Sequence, residues 1–137
     1  MNNQQRAELS KKNPYWIPRD KYYELLYFSR QYWTMWQEKK ELLRTYPSIS
    51  YDEHYAGTDI SNPVEKAVVR VSHLTDMMKL IEDTVKEVDP DIYKWLLNGV
   101  TTDKSYEYLS QKMGLPMSRS AYYERYRKYF FLLSKKR

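Results

Sequence analysis

Residues 62–88 read NPVEKAVVRVSHLTDMMKLIEDTVKEV. Asn62 can cap a helix, Pro63 suits a first helical position where its missing N–H costs nothing, and Glu65 completes a capping-box arrangement. Downstream, Val64, Val71, Met78 and Val85 recur seven apart, and so do Ala67, Leu74, Ile81 and Val88. Two apolar seam positions sustained through successive heptads are a helix pattern and not a strand pattern. This stripe can pack against another helix of the chain or against a second copy, giving a homodimer through 64–88; the sequence leaves both open. His73 beside it reads as a surface or boundary residue.

Upstream lies NPYWIPRDKYYELLYFSRQYWTMWQEKKELLRTYP (13–47), bounded by Pro18 and Pro47. Tyr22, Leu25, Leu26, Tyr32, Trp33, Trp36 and Leu43 recur at three-to-four spacing, which predicts one long helix over 19–45. Its rings are expected to fill a core or a helix–helix seam. Residues 1–13 are polar and aperiodic, a flexible N-terminus, and a loop is expected near 46–62. Asp52, Glu53 and His54 stand in a row there, but consecutive residues converge poorly on one ion, so no metal site is expected. Downstream, Asp89-Pro90 restarts the chain into a short helix through Leu97, with Asn98-Gly99 expected to end it. Thr101, Thr102 and Asp103 offer caps for a helix over KSYEYLSQKM (104–113), closed by Gly114. Ser118 opens a last helix running to about Ser134. The fold class is all-α: a helical region over 14–99, then a helix-turn-helix over 100–137.

Composition narrows the function. At 137 residues, 42% hydrophobic and 30% charged, the chain suits one modest globular domain or a small domain plus an extension. No apolar run is long enough to span a bilayer and the N-terminus has no apolar core, so neither a membrane span nor a signal peptide is expected. Cysteine is absent, which excludes disulfides and thiolate sites and fits the cytoplasm, that of a bacterial host on the resemblance below. There is no Cys nucleophile, Gly-rich phosphate loop or His-x-x-x-His pair, so neither enzymatic activity nor a cofactor is expected. The charge is uneven. Residues 101–137 hold nine Lys or Arg against three Asp or Glu, +6 in all, whereas the chain as a whole carries +5. A positive excess confined to the C-terminal quarter is the footprint of a polyanion binder.

That quarter ends in GLPMSRSAYYERYRKYFFLLSKKR (114–137). Helix, short Gly turn and longer basic helix is the pattern in which a second helix enters the major groove of duplex DNA. Gly114 can take the positive φ that closes the first helix, Leu115 can pin the turn, and Ser118 leaves helix N–H groups near a phosphate. Arg119 can present its fork to guanine, and Ser120 and Tyr123 can bond bases or phosphates. Arg125, Arg127 and Lys128 lie farther along and suit phosphates, with Arg127 at the edge of the core. Tyr122, Tyr126, Tyr129, Phe130 and Leu133 recur at helical spacing and form the buried face.

The run YEYLSQKMGLPMSRSAYYERYRKYFFLL (106–133) resembles the C-terminal region of phage and prophage transcriptional regulators of the RinA and ArpU type. It is also similar to the helix-turn-helix of sigma factor region 4, although its turn is about one residue longer, which leaves the base-contact register between Ser120 and Tyr123 open. YWIPRDKYYELLYFSRQYWTMW and NPVEKAVVRVSHLTDMMKLIE resemble the upstream parts of the RinA-like group. The resemblance implies a DNA-binding activator of phage late genes, with RNA polymerase as a further partner to be tested. It places the turn and recognition helix on Gly114, Pro116, Ser118, Arg119, Tyr122, Tyr123, Arg125 and Arg127. Two rivals stand beside it. A packaging adaptor resembling a terminase small subunit predicts ring-shaped oligomers, and a protein-interaction module predicts no affinity for DNA even at low salt.

Overall fold

A computed structural model of the chain describes residues 12–49 and 62–137. The N-terminal residues up to 11, most of the expected loop and the Asp52–His54 run lie outside them. Every regular element among the described residues is helical: α1 (Arg19–Arg30), α2 (Tyr32–Thr45), α3 (Pro63–Val88), a 3₁₀ turn (Pro90–Ile92), α4 (Tyr93–Thr101), α5 (Tyr106–Met113) and α6 (Arg119–Lys136). No described helix is long and apolar enough to cross a membrane.

The helix expected over 19–45 is two helices. Gln31, at φ −80° and ψ −7°, ends α1, and its N–H reaches back three residues to the Phe28 carbonyl at 3.1 Å. One tightened turn is enough to stop the ladder, with no proline or glycine to announce it. α3 follows the heptad reading, and Asn62 Oδ1 accepts from the Val64 N–H at 2.9 Å. Of its seam positions, Ala67, Val71, Leu74, Met78, Ile81 and Val85 are buried within the single chain, while Val64 is 40% exposed. The buried seam positions are covered by packing within the chain. His73 is exposed.

The chain divides into two compact units, one of Tyr32–Leu80 and one of Met1–Gln31 with Ile81–Arg137. In the Tyr32–Leu80 unit, Ile49, Ala67, Val68 and Val71 form a core against which Leu42, Leu43 and Tyr46 pack. Arg70 grips Glu38 through two bonds of 2.6 and 2.9 Å, which hold the Glu38 carboxyl below its ordinary value. Not every ring expected in the core is there: Trp33 and Trp36 stay exposed, edge-to-face at 6.1 Å, with Lys40 over Trp36.

In the other unit α1 and α4 pack on α6. Tyr122, Tyr126, Tyr129, Phe130 and Leu133 are buried as the periodicity requires. Two buried hydroxyl pairs tie α1 to α6: Tyr22 with Tyr126 at 3.1 Å and Ser29 with Tyr129 at 2.7 Å. Lys136 and Arg137 are not a loose basic tail, because Lys136 pairs with Glu87 at 2.7 Å and Arg137 with Glu24 at 3.2 Å.

Asn98-Gly99 does not end α4, which continues to Thr101. Gly99 serves close approach instead. A Cβ there would lie 1.8 Å from the Tyr122 hydroxyl oxygen and 3.3 Å from a Leu109 methyl. Alanine is the better helix former by about 1 kcal/mol, but the Tyr122 ring is held in a closed core and overpacking costs about 1–3 kcal/mol or more. Gly99→Ala is expected to lower stability by about 1–3 kcal/mol, read as a lower urea midpoint, and to cost less in a Tyr122→Phe background. An unchanged midpoint would refute the contact.

Candidate nucleic-acid interface

α5 begins two residues later than expected. Ser105, not Thr101–Asp103, caps it, its Oγ accepting from the Tyr108 N–H at 3.2 Å. Thr102 Oγ1 accepts from the Lys104 N–H instead. α5 ends on Gly114 at φ +69°, ψ +34°, the left-handed conformation that glycine alone takes without strain. Gly114 N–H bonds the Ser110 carbonyl at 3.1 Å and Leu115 N–H bonds the Leu109 carbonyl at 3.0 Å. This pair of bonds closes the helix, with Leu109 and Leu115 both buried, as the motif's apolar contact requires.

The turn over 114–118 is held from both sides. Tyr106 donates its hydroxyl to the Met117 carbonyl at 2.6 Å, and Trp95 donates Nε1–H to the Met113 carbonyl at 2.7 Å. Sequence reasoning does not single out either side chain. The available signal is that a half-buried Tyr or Trp needs a partner for its polar tip. Ser118 then caps α6, its Oγ accepting from the Ala121 N–H at 3.3 Å.

The seven expected contact residues separate. Ser118 and Ser120 are exposed at the start of α6. Tyr123 is buried, and its hydroxyl accepts from the Tyr106 N–H at 3.2 Å. It serves the N-terminus of α5, because a second aromatic at i+1 widens the buried face. Burial pushes its pKa up. Arg125 is drawn back as well: Nε donates to Asp89 at 2.8 Å and Nη1 to the Ala121 carbonyl at 3.0 Å, which fixes α6 to the start of the 3₁₀ turn.

Arg119 donates to Glu107 on α5 and lies over the Tyr123 ring at 5.1 Å. Its partner carboxylate is half exposed, and an ion pair of that kind is worth about 0–1 kcal/mol. A phosphate or guanine can therefore outbid Glu107, whereas releasing Arg125 breaks a more enclosed pair and a backbone bond. Arg127 is half-buried at the core edge. Desolvation pulls its pKa down from the ordinary value, and Glu124 works against that. Lys128 is half-buried and makes no ion pair with a described residue. Lys104 bonds Asn98 Oδ1 at 3.3 Å and covers the Tyr108 ring, and Lys112 is exposed.

Spacing explains the split. Positions 122, 123, 126, 129, 130 and 133 occupy a wide core face, so the outward stripe is Ser120, Glu124, Arg127 and Lys128. Of these, Glu124 lies outside the expected set. The buried hydroxyls offer no acid–base chemistry near neutrality: burial pushes Tyr126 up to about 12 and raises Tyr22, Tyr122 and Tyr129. Among the described residues no three His, Asp or Glu gather as a metal cluster.

No family model, curated protein or solved structure matches the chain.

Proposed function

We propose that α5, the Gly114–Ser118 turn and α6 act as a helix-turn-helix that binds duplex DNA, and that the protein is a transcriptional regulator of the phage late-gene kind that 106–133 resembles. The observation that carries this reading is the turn. A left-handed glycine, a buried Leu115 and two side chains bonded to the Met113 and Met117 carbonyls present the capped N-terminus of α6, with Ser118 and Ser120 in solvent. Groove-reading helices use that end for bases. Arg127, Lys128 and a releasable Arg119 supply cations for flanking phosphates.

Binding of duplex DNA by the full chain should weaken with salt, log affinity falling by about 0.9 per phosphate contacted for each unit of log salt. Lys128→Ala should lower that slope by about one contact and weaken all sequences alike. Gel-shift titrations over a salt series measure both. Affinity that is flat from low to physiological salt, or a slope unchanged in Lys128→Ala, counts against this interface.

A further inference from the structure

Glu124 is the one acidic residue of α6. Four acids from other elements each hold a base of α6 or of the residue that ends it: Glu107 with Arg119, Asp89 with Arg125, Glu87 with Lys136, Glu24 with Arg137. Glu124 holds none in this way. It is exposed, makes no hydrogen bond or ion pair with a described residue, and acts electrostatically on Arg127 three residues on. It stands one turn after Ser120 and one turn before Lys128, on the stripe that faces away from the core.

A carboxylate in that place works against general affinity for DNA, because phosphates repel it. What it can do is discriminate. It accepts hydrogen bonds and donates none. In the major groove guanine shows two acceptors, thymine an acceptor and a methyl group, and adenine a donor beside an acceptor; cytosine shows only its N4 amino donor. Ser120 and Glu124, in the first two turns of α6, occupy the part of a groove-reading helix nearest the bases.

We propose that Glu124 selects cytosine, accepting a hydrogen bond from its N4 amino group while Arg127 and Lys128 meet flanking phosphates. This inference rests on the DNA-binding reading above and names the residue that gives that binding its base preference.

The test is selection of bound sequences from a random duplex pool by the full chain, as wild type, Glu124→Gln and Glu124→Ala. In wild type one position of the recovered site should be cytosine, with other bases there binding about tenfold more weakly. Both variants should lose that preference, with Glu124→Gln turning toward adenine, whose N6 and N7 match an amide. Both should also hold random duplex more tightly than wild type, since a charge that repels phosphates is gone. Glu124 is exposed, so helical circular dichroism should be unchanged. Duplex binding with the same base preference in Glu124→Ala, or a wild-type pool without an enriched cytosine, overturns the inference and spares the DNA-binding reading. Failure of the wild type to retain any duplex at low salt overturns both.

Discussion

Raising the pH from about 8 to about 12 should unfold the protein cooperatively, before its buried tyrosines ionise one by one. Tyr22, Tyr122, Tyr126 and Tyr129 are all at most 5% exposed. Desolvation is the first cause of each upward shift, and Tyr126 is pushed up to about 12. An unfolded tyrosine titrates near about 10, so above that pH the unfolded chain releases protons that the folded chain keeps. The sign follows directly: the raised pKa contributes its full stability below about 10 and loses it as pH climbs toward the folded value. Each group removes about 1.4 kcal/mol per pH unit, so four together remove about 5.5 kcal/mol for each unit, against a total stability of about 5–15 kcal/mol. Urea midpoints should be level near neutrality and collapse above about pH 10, with tyrosinate absorption appearing together with loss of helix. Tyr122→Phe should make the decline shallower by about 1.4 kcal/mol per unit. Tyrosinate absorption that rises smoothly while the helix signal holds would sink the idea.

Strong stop and start chemistry makes some boundaries readable. Asn62-Pro63 starts α3, Asp89 caps the 3₁₀ turn by accepting from the Asp91 N–H at 3.0 Å, and Gly114 and Ser118 bracket the last turn. Each is a local device whose residue type and conformation are tied together. The misread boundaries are those where local and tertiary causes diverge. Gln31 breaks the first helix through one short hydrogen bond that any residue can make. Gly99 looks like a stop signal, yet it is required by the Tyr122 ring packed against it, a contact across 23 positions of sequence that no local pattern encodes.

The candidate site follows the same logic. Periodicity places Tyr122, Tyr126, Tyr129, Phe130 and Leu133 inside and Ser118 and Ser120 outside, because helical spacing alone decides it. It fails for Tyr123 and Arg125, which sit at the margin of the face, where the Tyr106 N–H of α5 and the Asp89 carboxylate before the 3₁₀ turn decide. Charge counting overstates the free cationic surface for a related reason. Arg119, Arg125, Lys136 and Arg137 meet acids contributed by Glu107, Asp89, Glu87 and Glu24, three of which lie outside the C-terminal quarter. A net charge for a segment does not say which of its charges the rest of the fold has neutralised.

The adjacent rings Phe130 and Phe131 should respond very differently to truncation. Phe130 is fully buried and meets three rings edge-to-face: Tyr22 at 5.0 Å, Tyr126 at 5.0 Å and Tyr129 at 4.9 Å. Phe131 is half-buried, tilted against Tyr15 at 5.8 Å with Lys135 over its face. Removing a buried Phe side chain costs about 3–5 kcal/mol, through lost transfer energy and the cavity left behind. The cavity here would open between α1 and α6 beside the Tyr22–Tyr126 hydroxyl pair, so collapse to fill it would strain that pair. Phe130→Ala should therefore fall near the upper end of that range, about 5 kcal/mol, enough to unfold a protein at the low end of the usual stability of about 5–15 kcal/mol. Phe131→Ala forfeits a partly solvated contact and a cation–π pair worth about 0.5–1 kcal/mol, and should cost under about 1.5 kcal/mol. Denaturant unfolding of the two variants side by side measures the difference. Equal losses would mean that the Phe130 ring is not the point on which α1 and α6 close, and the packing between those helices would have to be assigned to other residues.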